Sequence, residues 1–233
     1  MYHSITIGDK NTWDDWHLIP ASRPLFNPPP VKTNYIDIPA RDGNMDLTEV
    51  LTGKPVYNNR TGSWTFYVEN GFKDWTVLYS EIMVYLHGRE FRAVLEDDPG
   101  YYYEGRFQVN SWRSDPNYSM IVIDYNVGPY KKSSTDNGDD WLWDPFNFET
   151  GVIRSYKNLV VDGSLTVTVI GDVMEVIPVI ICSAAMSVTF EETTYSLIRG
   201  SNYVVGIKIQ EGEHDLVFTG NGTITIEGIG GRL

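Results

Sequence analysis

The sequence has 233 residues, of which 42% are hydrophobic and 21% charged, with a formal net charge of -13 at pH 7. This composition is typical of a globular protein, and the negative charge opposes binding to phosphate backbones and to anionic membrane surfaces. We therefore expect no sequence-specific nucleic-acid partner and, because no apolar run approaches the ~18 residues of a membrane span, no membrane insertion.

The N-terminal segment is unusually dense in tryptophan, aspartate and proline. No basic leader followed by an apolar core precedes it, which predicts synthesis in the cytosol without an export signal. Trp13 and Trp16 surround Asp14 and Asp15, and three consecutive prolines follow at positions 28–30. The prolines predict a stiff, extended strut without amide donors. The Trp and Asp residues leave two interpretations open: a carboxylate pair for chemistry on a sugar, or a rigid element that another protein recognises.

A long excursion from the regular pattern is predicted between Tyr35 and Trp64. Asp42-Gly43 is a tight-turn signal, and further glycine, proline and asparagine residues keep the segment from forming a regular core element. We interpret it as a projecting, hairpin-like arm. In an isolated chain the apolar residues of this arm would be exposed to water, so we predict that a neighbouring subunit covers them. These predicted inter-subunit contact residues are Leu47, Val50, Leu51, Val56 and Tyr57.

Alternating apolar residues predict half-buried antiparallel strands in the rest of the first part. The patterns are SWTFYVE, FRAVL, GRFQVNSW and MIVIDYNV. One helix is predicted from about Asp74 to His87, where apolar residues recur at the three-to-four spacing of a helical face. Asp74 can cap its start and Gly88 can end it.

The composition changes near residue 140. All seven tryptophans lie at or before Trp143, and the polar run KKSSTDNGDD indicates an exposed linker. Beyond it, short runs rich in Val, Ile and Thr are separated by turn residues, as in a β-sandwich or jelly roll. We therefore predict a mainly β protein with domains at residues 1–131 and 141–233 and a linker at 132–140. The predicted runs are NLVV, SLTVTVIG, MEVIPVIIC, MSVTF, TYSLIRG, YVVGIKI, DLVFTG and GTITIEG.

The sequence carries no recognisable catalytic or metal-binding motif, so we predict a protein that is not an enzyme and holds no metal or cofactor. Its single cysteine, Cys182, lies in an apolar run and is predicted to be a buried structural thiol. Adjacent carboxylates such as Asp14-Asp15 rarely both face one cleft, so a glycosidase is the least favoured of the functions considered. The main alternative function is a non-catalytic carbohydrate-binding β-sandwich module, because aromatics can stack on sugar rings or equally fill an interface. The aromatics concerned are Trp13, Trp16, Tyr101, Tyr102 and Tyr103.

Several long sequence segments resemble the N-terminal domain of the distal tail proteins (Dit) of siphophages and prophages of Gram-positive bacteria. They are the run from GDKNTWDDWHLIPASRP to NNRTGSWTF, the helix WTVLYSEIMVYLHGREF and the strand ending in YNVGPYKK. This resemblance covers residues 5–131 in order. It extends to WLWDPFNFETG after the linker and to the glycine-rich terminal run NGTITIEGIGGRL.

The resemblance implies a structural component of a phage tail tip, or baseplate hub, in a virion that is assembled in the cytoplasm of the bacterial host. Members of the family form a homo-hexameric ring that joins the tail tube protein to the tail-associated hub or lysin protein. An N-terminal, tail-tube-like β-sandwich with one helix and a projecting hairpin arm is implied. The C-terminal domain is then a galectin-like or jelly-roll-like β-sandwich that offers docking sites for receptor-binding proteins.

Given this resemblance, the opening segment is better interpreted as a rigid surface element that fixes the chain against its neighbours. We predict that Asp14 or Asp15 accepts hydrogen bonds from backbone amides or pairs with an arginine such as Arg23 or Arg41. The predicted partner-facing residues are Trp13, Asp14, Asp15 and Trp16.

Overall fold

The structure is a computed structural model that describes residues 3–69, 74–115, 118–133, 156–228 and 230–233. The chain divides into two compact units, Met1–Lys131 together with Leu233, and Lys132–Arg232. Residues 134–140 of the predicted linker and the run WLWDPFNFETG lie outside the described residues.

Strands make up most of the described chain, and one helix accompanies them, which confirms the predicted mainly β fold. The first unit contains β1 (Ile5–Ile7), β2 (Lys10–Asn11), β3 (Leu18–Pro20), β4 (Tyr35–Asp37), β5 (Asn44–Asp46), β6 (Arg60–Val68), α1 (Trp75–Leu86), β7 (Arg89–Leu95), β8 (Tyr101–Ser114) and β9 (Ser119–Val127). The second unit contains β10 (Lys132–Ser133), β11 (Leu159–Gly171), β12 (Val179–Cys182), β13 (Met186–Phe190), β14 (Thr193–Leu197), β15 (Gly200–Tyr203) and β16 (Gly212–Glu227).

The first unit is built on an antiparallel sheet in the order β2-β1-β7-β8-β9-β6-β3. The four strands predicted from alternation are confirmed as β6 to β9, and their inward residues, such as Phe66, Phe107 and Ile123, are buried. Strands β1 and β3 were not predicted from the sequence. Each has only three residues, which is too few for alternation to be recognised.

Helix α1 packs one face into the core of the first unit. Leu78, Ile82 and Leu86 are fully buried, as the three-to-four spacing predicts. The Asp74 carboxylate accepts hydrogen bonds from the amides of Thr76 and Val77, which confirms the predicted N-cap. Among the described residues, no helix is long and apolar enough to cross a bilayer.

Strand β16 organises the sheet of the second unit. It pairs with β11 along residues 212–224, and on its other edge it pairs first with β13 and then with β12. Gly220 and Gly222 lie where the partner changes, with φ of +147° and +148°. A Cβ on Gly220 would lie 2.7 Å from the Cβ of Met186, so the close approach at this bend requires glycine.

Two turns predicted in the second unit are wrong. The runs NLVV and SLTVTVIG form one continuous strand, β11, and DLVFTG and GTITIEG likewise form β16. The two turn-like dipeptides face each other, with Asp162 paired to Asn221 and Gly163 to Gly220. The amide of Gly163 also donates to the side-chain oxygen of Asn221 at 3.0 Å. The two strands pair residue by residue through both dipeptides, so the ladder continues without a break.

Cys182 is buried in the core of the second unit, as predicted, and burial raises the pKa of its thiol. The run MEVIPVIIC forms a strand only at Val179–Cys182. Pro178 immediately precedes this strand and has no amide to donate to a ladder.

We expect Gly105→Ala to destabilise the first unit by about 1–3 kcal/mol, since overpacking forces the backbone apart. A Cβ on Gly105 would lie 2.3 Å from the carbonyl oxygen of Asn126 and 2.5 Å from the Cα of Val127. At Gly128, where the nearest atom is 3.8 Å away, alanine should change stability by no more than about 0.5 kcal/mol. Urea unfolding followed by tryptophan fluorescence measures both; equal effects would contradict the close packing of β8 on β9.

Candidate subunit-contact site

A projecting arm, which we define as residues 31–58, begins directly after the proline strut at residues 28–30 and returns to it before β6. Val31 and Tyr57 form an antiparallel bridge. The amide of Lys32 donates to Val56 O at 2.7 Å, and the amide of Asn58 donates to Pro30 O at 2.8 Å. The two legs are therefore joined by hydrogen bonds in both directions, and Pro30 takes part as an acceptor although it has no amide to donate.

The outer half of the arm is a separate two-stranded sheet. Strands β4 and β5 pair with Tyr35 opposite Asp46 and Asp37 opposite Asn44, and neither strand joins the larger sheets. Below this sheet, the Leu47 amide donates to Asn34 O at 2.8 Å. The arm is thus closed by backbone hydrogen bonds along its length, and the predicted hairpin-like excursion is present.

No residue of the arm is buried. Exposed apolar side chains follow it from end to end, and Leu51 is 95% exposed. Of the predicted contact residues, Val50 and Leu51 point into solvent, whereas Leu47, Val56 and Tyr57 are half-buried. A two-stranded hairpin without a hydrophobic face of its own is marginally stable in water. The arm therefore depends on its root for its shape.

Arg60 fixes the root of the arm. It is the first residue of β6, is 5% exposed, and donates from Nε to Pro129 O at 2.8 Å and from Nη1 to Asn27 O at 3.0 Å. Its Cζ lies 5.5 Å from the centre of the Tyr103 ring, a cation–π contact. Three distant stretches of chain meet at this side chain. The sequence did not single out Arg60, because a charged residue in a strand pattern is ordinarily expected to be exposed.

Aromatic packing holds the chain just before the strut. The Phe26 ring contacts Trp64, Tyr103 and Tyr125, with ring centres 4.9, 3.9 and 4.9 Å away. The indole of Trp64 also donates to a backbone oxygen, Leu25 O, at 2.9 Å. The strut thus leaves the core from a rigid base. A second contact at the root joins the Tyr57 ring edge-on to Tyr130, with centres 6.1 Å apart.

The Trp13–Trp16 segment is a tight turn between β2 and β3. Asp15 accepts hydrogen bonds from the Asn11 amide and from Lys10 Nζ, both at 2.8 Å. These two bonds lower the pKa of Asp15, the Lys10 bond most strongly. The prediction that one of the aspartates accepts a backbone amide is confirmed. The alternative in that prediction was an arginine such as Arg23 or Arg41, and Arg23 donates to Asp97.

The predicted partner-facing surface is wrong for one of its four residues. Trp16 is fully buried and packs edge-on against Tyr85, with ring centres 5.6 Å apart. Its hydrophobic area is therefore part of the core and is not available to a partner. Asp14 is exposed, and Trp13 and Asp15 are half-buried at the surface of the turn.

The tyrosine triplet that could stack on a sugar is engaged within the first unit. Tyr103 is buried, Arg92 lies over the Tyr102 ring at 4.7 Å, and Lys131 lies over the Tyr101 ring at 4.1 Å. The adjacent carboxylates Asp97 and Asp98 are bound by different cations. Within the described part of the chain, no group of three or more His, Cys, Asp or Glu residues could hold a metal ion.

Comparisons with known proteins give one likeness that bears on this arrangement. No protein-family model matches the chain, and no curated protein sequence matches it. The crystal structure of SPP1 Dit (gp 19.1), described as a paradigm of hub adsorption apparatus in phages that infect Gram-positive bacteria, aligns with a TM-score of 0.61. The alignment covers 97% of this chain and 98% of that chain at 11% sequence identity. The two proteins therefore share a fold over nearly their whole lengths.

We expect Arg60→Met to destabilise the first unit by about 1–3 kcal/mol for each carbonyl left without its donor. Amide exchange should rise selectively in residues 26, 27, 128 and 130, next to the two carbonyls that the side chain binds. Arg106→Met is the matched control, because Arg106 lies on the same sheet and is exposed. Denaturant unfolding and hydrogen exchange provide the measurements. Unchanged exchange beside Asn27 and Pro129 would contradict the role of Arg60 as the anchor of the root.

Asp15→Asn should lower the melting temperature at neutral pH. A carboxyl whose pKa is lower in the folded state stabilises the fold above its unfolded pKa of ~3.9, and that contribution is lost as the pH falls through the folded pKa. The difference between wild type and Asp15→Asn should therefore disappear in strong acid. The exposed neighbour provides the control, since Asp14→Asn should leave the profile unchanged. A difference that persists undiminished in strong acid would show that ionisation is not its cause.

Proposed function

We propose that the protein is a structural component of a phage tail tip, where it forms a homo-hexameric ring that joins the tail tube protein to the tail-associated hub protein. The observation that supports this most is the projecting arm, which has exposed apolar side chains and no buried residue. The fold shared with a protein of a phage hub adsorption apparatus also supports the proposal. The protein is then a virion component rather than an enzyme.

The arm suits a ring because it gives each subunit two different contact surfaces. One subunit extends its arm, and the next receives it, so the contact is heterologous and generates a closed ring when the rotation closes. Val50 and Leu51 are the residues we assign to direct contact, because they are the predicted residues left in solvent. The half-buried Leu47, Val56 and Tyr57 shape the arm behind them.

The second unit supplies docking sites for receptor-binding proteins in this proposal, and assembly takes place in the host cytoplasm. The fold shared along both units supports the first of these points. The carbohydrate-binding alternative receives no comparable support, because Trp16 and Tyr103 are buried and Tyr101 and Tyr102 are each covered by a cation.

Light scattering during size-exclusion chromatography tests the ring. We expect the wild-type protein to have a mass near six copies of 26.5 kDa. The double variant Val50→Asp, Leu51→Asp should elute at the mass of one chain, because a charge on each contact residue cannot be buried without a partner.

The matched control is the double variant Val160→Asp, Ile198→Asp in the second unit. Val50 and Val160 are both 68% exposed, and Ile198 is 69% exposed, so the control removes similar exposed apolar area away from the arm. It should keep the wild-type mass. A wild-type monomer at all concentrations, or an arm variant that retains the full mass, would contradict the proposal.

A further inference from the structure

Aspartate or asparagine followed by glycine is a chemically reactive pair in proteins. The glycine amide nitrogen can attack the preceding side-chain carbonyl carbon, because glycine has no Cβ to hinder the approach. The attack requires an amide that is free of hydrogen bonds and a backbone that can rotate. The chain contains five such pairs, of which Asn70-Gly71 and Asn137-Gly138 lie outside the described residues.

Two of the three described pairs are held in the ladder of the second unit. Asp162-Gly163 and Asn221-Gly222 lie opposite each other in β11 and β16. The Gly163 amide is occupied, since it donates to the Asn221 side-chain oxygen at 3.0 Å. Continuous pairing on both sides of these dipeptides restrains the rotation that ring closure needs. We expect both pairs to be protected in the folded protein.

The third pair, Asp42-Gly43, lies at the tip of the arm and has none of these restraints. Both residues are exposed and precede β5 in the connection from β4. No hydrogen bond to the Asp42 carboxylate or the Gly43 amide occurs within the described part of the chain. Gly43 has a φ of +73°, and a Cβ built on it would meet no atom within 4 Å. The nucleophile and the carboxyl group are therefore both accessible.

We propose that Asp42-Gly43 is a site of spontaneous aspartate isomerisation in the folded protein. The Gly43 nitrogen bonds to Cγ of the protonated Asp42 side chain, the Cγ–OH bond breaks, and the hydroxyl leaves with the amide proton as water. Water then opens the cyclic imide at either carbonyl. Opening at the backbone carbonyl leaves an isoaspartate, whose chain continues through the side chain and gains one methylene between β4 and β5. The modification therefore reshapes the tip of the arm as the protein ages.

The test compares folded protein with protein unfolded in guanidinium, both aged at physiological temperature and neutral pH. Isoaspartate is detected with an isoaspartyl methyltransferase and a labelled methyl donor, and it is located in proteolytic peptides by electron-transfer fragmentation. We expect the Asp42 peptide to isomerise in the folded protein within a few-fold of its unfolded rate. The Asp162 and Asn221 peptides should be slowed at least about tenfold by folding.

The variant Asp42→Glu separates this chemistry from other labelling of the same peptide. It keeps the carboxylate but lengthens the side chain, so the same imide ring cannot close, and the label on the arm peptide should disappear. The inference is overturned if Asp42 isomerises in guanidinium but not in the folded protein, or if the label persists in Asp42→Glu. It is also overturned if the two ladder pairs react in the folded protein as fast as Asp42. The folded sample is also run as the Val50→Asp, Leu51→Asp variant, in which no neighbouring subunit covers the arm, so that failure of this inference is distinguishable from failure of the proposed ring.

Discussion

The buried guanidinium of Arg60 is the interaction on which the arrangement of the first unit depends. A buried charge is costly unless its hydrogen bonds are satisfied, and within the described residues Arg60 is satisfied by carbonyl oxygens and a ring rather than by a carboxylate. Those carbonyls belong to Asn27, before the strut, and to Pro129, after β9. The charge can be buried only when the carbonyls of Asn27 and Pro129 are both in place. Arg60 therefore fixes the chain before the strut, the start of β6 and the chain after β9 relative to one another.

This anchor divides the arm into a rigid root and an unsupported outer half. At the root, Phe26, Trp64, Tyr103 and Tyr125 form a packed aromatic cluster, whereas the hairpin beyond it is held mainly by backbone hydrogen bonds between its legs. A binding element that is already shaped loses less conformational entropy when a partner covers it. Each apolar side chain of the arm that a partner covered would contribute roughly 25 cal/mol per Å² of buried area. A rigid root therefore lowers the entropic cost of an association through the exposed apolar side chains of the arm.

The sequence predicted features that depend on local pattern and failed where long-range contacts decide. Alternation identified β6 to β9, and spacing with the Asp74 cap identified α1, because both signals arise within a few residues. Trp16 was predicted to face a partner because the family resemblance implied that the opening segment is a surface element, yet the fold packs it against Tyr85 in the core. The continuous strands β11 and β16 could not be predicted, because each contains an Asx-Gly dipeptide that locally indicates a turn. The two dipeptides remain in the strands because they pair with each other across the ladder. Arg60 was missed for the same reason: its acceptors lie 33 and 69 residues away.

An identity of 11% over nearly the whole fold is consistent with the constraints that the structure imposes. A core needs apolar side chains of suitable total volume, and many combinations meet that requirement. Residue type is dictated at few positions, such as Gly105, where the backbone of β9 leaves no room for a Cβ. Side chains on the arm contribute nothing to the core, because none is buried. Packing of the core therefore does not restrict their identities, and the arm can diverge in sequence while the sheets keep their topology.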